Sequence, residues 1–253
     1  METILITGGN GAMAKCLVKH FIDQFSFVLL DIHETVSPEL ASYKVSYFQC
    51  NICNLDELNR VEKIISAGDT QLAAIINNAA VDFVPAQEAS YKNEYSPQVA
   101  LNVLNVNVVG AINVIEAFQT LLIRSKGSVI NVSSIYSKVP PDQTIYSDLV
   151  GEDGVHFKKP IYYGLSKSAL NYVTKYYVDD LAGDGVRVNT IIFGGIEANQ
   201  PDLFKKRYTN KVPLKRMGNW SDVINIFQFI LSKESNYITG NEFRVEGGFL
   251  SFT

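Results

Sequence analysis

Short apolar runs alternate with amphipathic stretches along the whole chain. Thr3-Ile4-Leu5-Ile6 reads as a buried strand, and after a glycine-rich interval the period changes to helical spacing at Leu17, Val18, Phe21 and Ile22. The same change recurs downstream. Strands are predicted at 25–30, 45–48, 72–76, 128–132, 187–192 and 243–245, and helices at about 55–65, 99–122, 163–181 and 221–231. Strands separated by helices rather than by tight hairpin turns predict a parallel sheet covered by helices on both faces. Because no repeat, low-complexity run or linker interrupts this alternation, one domain over residues 1–253 is expected.

Polar residues that could do chemistry fall where these strands end. Thr7-Gly8-Gly9-Asn10-Gly11-Ala12-Met13-Ala14 lies between the first strand and the first helix. Glycines at such a turn let the backbone approach a pyrophosphate, and the start of the helix favours its charge. The second strand ends in Asp31, whose carboxylate can accept hydrogen bonds from ribose hydroxyls and would repel a 2′-phosphate; no Arg or Lys stands at 32 or 33. NAD is therefore expected over NADP, in an α/β, Rossmann-type doubly wound parallel sheet with three α/β/α layers. The strand ending in Asn77-Asn78-Ala79-Ala80 carries small residues at the edge where ligands bind in open sheets, and Ser133-Ser134 ends the next strand at the same edge. Asn107 interrupts a long apolar helix; it is either a satisfied core group or a site residue, and the sequence leaves both readings open. Tyr163 and Lys167 are four residues apart and share a helix face, while apolar spacing at Leu165, Ala169, Leu170, Val173 and Tyr176/Tyr177 predicts the helix itself. A lysine ammonium beside a tyrosine favours the phenolate and brings the hydroxyl towards useful pH.

Composition narrows the classes. A formal net charge of −4 argues against a general nucleic-acid binder, and 47% hydrophobic residues suit a sizeable core. Cys16, Cys50 and Cys53 are too few for a disulfide framework. Cys50 and Cys53 have C-x-x-C spacing, but no second pair completes a metal site, so half-buried thiols in a reducing, cytoplasmic compartment are expected and no metal. No basic, apolar leader is expected at the start, and no apolar run of membrane-spanning length.

Taken in order, these residues resemble the short-chain dehydrogenase/reductase family from Thr7 to Gly248. Residues 7–14 resemble its T-G-x-x-x-A/G-x-G turn, and Asn77–Ala80 its N-N-A-G. Asn107 resembles the asparagine of V-N-V-x-G, Ser134 the serine of N-x-S-S, and Tyr163 with Lys167 the pair of Y-x-x-x-K. The Ile238-Thr239-Gly240 and Val245–Gly248 stretches are similar to the family's closing motif. The resemblance implies Asn107, Ser134, Tyr163 and Lys167 as catalytic residues. Tyr163 would exchange a proton with substrate while nicotinamide C4 exchanges the hydride. Lys167 would lower the tyrosine pKa and hold the nicotinamide ribose, Ser134 would orient the substrate oxygen, and the main chain at Asn107 would hold a relay water. Implied cofactor contacts are Gly8, Asn10, Gly11, Ala12, Met13, Asp31, Asn51, Ile52, Asn78, Ala79, Ala80, Tyr163, Lys167, Gly194 and Ile196. Ala14, Asn51, Ala80 and Phe193 depart from the family pattern, and Phe193 could narrow the nicotinamide or substrate pocket.

Two further segments stand out. The interval between Ser134 and Tyr163 is much longer than the family's usual one, which makes 138–161 an inserted loop, expected at the surface; His156 within it is expected to be solvated. This long interval, with Pro160–Lys167, resembles a bacterial surface-sugar and flagellin-modification subgroup. Residues 196–218 are expected to form a substrate lid. Its Lys205, Lys206, Arg207, Lys211, Lys215 and Arg216, with Lys158 and Lys159 from the loop, could converge on an anionic ligand. The expectation is an NAD-dependent oxidoreductase acting on a secondary alcohol or ketone of a polar, anionic sugar-like metabolite, phosphorylated or nucleotide-linked. A homodimer or homotetramer is implied, with neither nucleic acid nor membrane as partner. A non-catalytic NAD sensor, or an epimerase or dehydratase using the same hydride step, is the alternative.

Overall fold

The computed structural model describes residues 1–82, 96–151 and 154–251. Seven strands form one sheet: β1 (Thr3–Thr7), β2 (Ser26–Asp31), β3 (Val45–Gln49), β4 (Leu72–Asn77), β5 (Ser128–Ser134), β6 (Arg187–Phe193) and β7 (Glu242–Val245). Their order is β3-β2-β1-β4-β5-β6-β7 and every pairing is parallel. The chain leaves β1 towards β3 and then crosses back to β4, so the strand order reverses between β1 and β4. That switch point opens a crevice at the carboxyl ends of the strands.

Period-two alternation sends neighbouring strand residues to opposite faces. Leu5, Val28, Leu30, Ile75, Val129 and Val188 pack beneath α2 (Leu55–Ser66), α4 (Gly110–Ser125) and α5 (Ile161–Leu181). Ile4, Ile6, Phe27, Leu29, Ile76 and Ile191 pack beneath α1 (Ala12–Phe21) and α7 (Trp220–Leu231). Phe193 belongs to this second core, stacked 6.3 Å from Phe227, so it does not narrow the ligand crevice as the sequence suggested. Its side chain shares with Ile191 the face of β6 that packs beneath α1 and α7.

Several expectations change here. α3 (Pro97–Leu104), a π-helical turn (Asn105–Val109) and α4 run on as one helix, Pro97–Ser125, which contains an 18-residue stretch with a mean hydropathy of 1.6, a membrane-span value. Val103, Val114, Ile115, Phe118, Leu121 and Leu122 are buried against the sheet and its neighbouring helices, which accounts for that hydropathy by core packing. On α5 the buried stripe is Leu170, Val173, Tyr177 and Leu181, whereas Leu165 and Tyr176, expected within it, are exposed together with Tyr172. An α5 with apolar residues on two faces has no single periodic stripe to show which one meets the sheet.

The inserted loop is not simply a surface feature. Ile145, Tyr146 and Phe157 are buried in a third apolar cluster with Ile135, Tyr208, Val212, Met217 and Phe249. The charged segment after β6 contains a helix, α6 (Asp202–Lys211), that its polar composition concealed; Tyr208 is its buried anchor. Residues 138–161 and the segment expected as a lid therefore fold against each other.

Candidate active site

The crevice between β1 and β4 is built by backbone proximity. Gly8 has φ +67°, and a Cβ there would stand 3.1 Å from Ala79 Cα, so glycine satisfies both the left-handed backbone and the close approach. The Thr7 hydroxyl accepts from Asn78 N at 3.1 Å and Ala79 N at 3.0 Å, and Asn78 Nδ2 donates to Thr7 O at 2.9 Å. The Asn78 amide thus ties two strand ends together. Gly11 caps α1 without a side-chain bond, which keeps the helix start accessible to an anion. Ala14 is fully buried in the core, so its extra methyl does not face the crevice.

A groove lined by Gly8, Asn10, Gly11, Asp31, His33, Asn51, Ile52, Asn78, Ala79, Ala80 and Val106 runs from this turn. Asp31 Oδ2 accepts from Asn10 N at 2.8 Å; Oδ1 meets His33 N at 3.2 Å and His33 Nδ1 at 2.5 Å. Burial pulls the Asp31 pKa upward, but the bonds from Asn10 and His33 prevail and hold it below the ordinary carboxylate value. The Asn10 side chain is directed to Thr35 O, Tyr47 Oη and Ser37 N, so it staples the loop after β2. Asn51 accepts from Cys53 N at 3.0 Å and stays exposed, while Ile52 is buried beneath it. His33 is a polar groove residue that sequence reasoning missed, as it missed Val81 and Val106; the position of His33 two residues beyond Asp31 was the available signal.

The remaining candidates converge beside β5 and α5. Lys167 is buried, and its Nζ donates to Val132 O at 2.8 Å and lies 5.9 Å from the Tyr163 ring centroid. Ser134 stands close enough to Tyr163 to act on its hydroxyl, and its Oγ accepts from Tyr136 N at 3.2 Å. Gly164 allows this convergence, since a Cβ there would meet Tyr136 O at 2.8 Å. Asn107 sits in the π turn, where Oδ1 accepts from Val81 N at 2.7 Å and Nδ2 donates to Val81 O at 3.1 Å and Ser166 Oγ at 2.9 Å. Its side chain is a satisfied core group that clamps the segment after β4 to α5.

Burial holds the Tyr163 hydroxyl above its ordinary pKa; the Asp82 carboxylate adds to this and Ser134 opposes it. Burial is the largest influence on the Tyr163 hydroxyl and outweighs the lowering expected from Lys167. Burial also lowers Lys167, to about 8, against an upward pull from Asp82. A second lysine enters from the inserted loop. Lys159 is 6% exposed, pairs with both Asp82 oxygens at 2.5 and 2.6 Å, and lies 4.8 Å from the Tyr163 ring centroid.

The other cations do not converge on this point. Lys158 is exposed. Arg207 pairs with Asp148 and Lys211 with Asp142, joining lid to loop, while Lys205 pairs with Glu197 at 3.2 Å and Arg216 with Asp222 at 2.6 Å. His156 meets Ser147 O at 2.9 Å within its own loop. Gly194 N donates to Val245 O at 3.0 Å and Ile196 bridges Gly218, which fixes the start of the lid at the edge of the crevice.

The family model described as enoyl-(acyl carrier protein) reductase matches residues 13–250. The chain belongs to the short-chain dehydrogenase/reductase family. Among relatives of this family, it is 25% identical to a 3-oxoacyl-[acyl-carrier-protein] reductase of Thermotoga maritima, over 98% of this chain and 97% of the relative. It is 28% identical to a 3alpha-hydroxysteroid dehydrogenase of Mediterraneibacter gnavus, over 97% and 96% respectively. A short chain dehydrogenase from Leptospira borgpetersenii, solved with bound NAD+, superposes with a TM-score of 0.85 at 29% identity, covering 98% of this chain and 92% of that one. This short-chain dehydrogenase/reductase is an oxidoreductase with a nicotinamide cofactor.

Proposed function

We propose that the enzyme is NAD-dependent and interconverts a secondary alcohol and a ketone in a polar, sugar-like metabolite. The observation that carries this reading is the meeting of Tyr163, Ser134 and Lys167 at the carboxyl edge of β5, beside the Asp31 groove. The groove fits a dinucleotide: Gly8, Gly11, Ala12 and Met13 would face the pyrophosphate at the open start of α1. Asp31, positioned by Asn10, would hold the adenosine ribose, and Asn51 and Ile52 would flank adenine. Asn78, Ala79, Ala80, Tyr163 and Lys167 would border the nicotinamide ribose, with Gly194 and Ile196 at the ring. When bound, nicotinamide supplies the hydride acceptor or donor.

Within the chain, Tyr163 is the proton-transfer group and Ser134 orients the substrate oxygen next to it. The protonated tyrosine favoured by burial is the acid that ketone reduction requires; oxidation requires the phenolate, which a neighbouring positive charge favours. Asn107 acts at one remove by fixing Val81 and Ser166. The lid's ion pairs leave weaker support for an anionic substrate than for a polar one. Exposed Leu101, Val109, Leu165, Tyr172 and Tyr176 on the long helices support a homodimer or homotetramer, and three free thiols suit the cytoplasm.

The test is NADH formation by the wild type and Tyr163→Phe with a panel of polyols and sugar acids, alongside NAD+ titration. The variant should retain NAD+ binding and fold but lose turnover, because one hydroxyl is deleted. Equal turnover by both proteins would refute the role of Tyr163.

A further inference from the structure

The inserted loop delivers one charged side chain to the catalytic tyrosine. Lys159 is buried, its ammonium stands against the Tyr163 ring, and its partner Asp82 lies five residues beyond the end of β4. Asp82 is also close enough to influence Tyr136, Tyr146 and Lys167, so its carboxylate is central to this cluster. The two tyrosines meet each other hydroxyl to hydroxyl at 2.6 Å. The surroundings of the reacting hydroxyl are thus an ion pair and phenols, a costly wall to set against an apolar substrate.

Resting on the hydride-transfer reading above, we infer that Asp82, held in place by Lys159, is a specificity-determining residue that accepts a hydrogen bond from a second hydroxyl beside the reacting carbon, so that the site selects vicinal diols. Each carboxylate oxygen has two acceptor sites, and one ammonium contact per oxygen leaves capacity for a substrate hydroxyl. Lys159 Nζ stands 4.8 Å over the Tyr163 ring and holds both Asp82 oxygens within 2.6 Å, which brings the carboxylate within reach of a hydroxyl next to a substrate oxygen at Tyr163. A neutral diol suits this position better than an anion, because the Asp82 carboxylate repels a second negative charge. Lys159 acts through Asp82 and is a positioning residue.

The probes are trans-cyclohexane-1,2-diol and cyclohexanol, titrated by ligand-observed NMR against the NADH-bound full chain. A hydrogen bond to a charged acceptor predicts about 10- to 100-fold tighter binding of the diol by the wild type. That preference should fall to near unity in Asp82→Asn and Lys159→Met, and persist in Lys159→Arg. NAD+ titration of each variant reports folding. Should the single variants fail to fold through an unpaired buried charge, Asp82→Asn/Lys159→Met removes both charges and the same loss of preference is expected. Equal binding of the two probes by the wild type, binding of neither, or a diol preference that survives loss of both charges would overturn the inference. NADH formation from NAD+ is read in parallel: a diol preference abolished by Asp82→Asn, with no NADH from any alcohol, would sustain this inference and overturn the hydride-transfer reading instead.

Discussion

Replacing Phe157 by Ala separates the two forces that hold the inserted loop against the lid. Phe157 is buried, its ring is 5.4 Å from Tyr146, and both belong to the cluster anchored by Tyr208 and Met217. Truncating a buried Phe costs about 3–5 kcal/mol. The two ion pairs across the same junction are partly solvated: Arg207 and Asp148 are 31% and 45% exposed, and Lys211 and Asp142 are 44% and 32% exposed. Pairs of that kind contribute about 0–1 kcal/mol each, less in salt. Packing should therefore exceed ion pairing, and Phe157→Ala should lower the Tm by about 6–20 °C if loop and lid melt with the sheet, at about 2–4 °C per kcal/mol. If they open separately, the shift will be smaller and proteolytic cleavage within 138–160 will rise instead. Thermal denaturation and limited proteolysis of Phe157→Ala and Asp142→Asn/Asp148→Asn, at low salt and at about 0.5 M salt, distinguish the contributions. A double Asn variant less stable than Phe157→Ala, or a Phe157→Ala variant unchanged in both Tm and proteolysis, would refute the reasoning.

Three other outcomes are expected. In kcat/KM comparisons the wild type should favour NAD over NADP, and Asp31→Ser should reduce that preference by about 10- to 100-fold; equal use of both by the wild type would remove Asp31 from cofactor choice. Between pH about 8, where burial places Lys167, and about 10.4, its ordinary value, the unfolded chain binds a proton that the native chain has released, so this residue's contribution to stability rises with pH. Stability curves of the wild type minus Lys167→Met should rise through that window and be flat below it; a falling difference would show that the sign is wrong. Cys50, whose thiol is pushed up to about 11 by burial and then by Glu57, should resist iodoacetamide at pH 8 in the native chain and react after unfolding, as mass spectrometry of the labelled peptides will show.

The order of strands and helices, the glycine turn, Asp31, Ser134, Tyr163 and Lys167 were legible because each is encoded locally. Period two or 3.6 declares an element, a glycine declares a tight approach, and a residue four positions along declares a shared helix face. The position of the reversal between β1 and β4 that opens the crevice is seen only in the folded sheet. Other features depend on distant chain segments meeting. Burial governs Tyr163 once α5 docks against β5, and Gly164 permits that close approach because a Cβ there would meet Tyr136 O at 2.8 Å. The basic run at 205–216 looked available to a ligand until Asp142 and Asp148, more than fifty residues earlier, were found beside it. Lys159 read as one more loop cation, yet Asp82, 77 residues away in the chain, draws it into the site. Local pattern is written by near neighbours, whereas charge balance and desolvation are sums over everything brought close, and only the folded chain performs that sum.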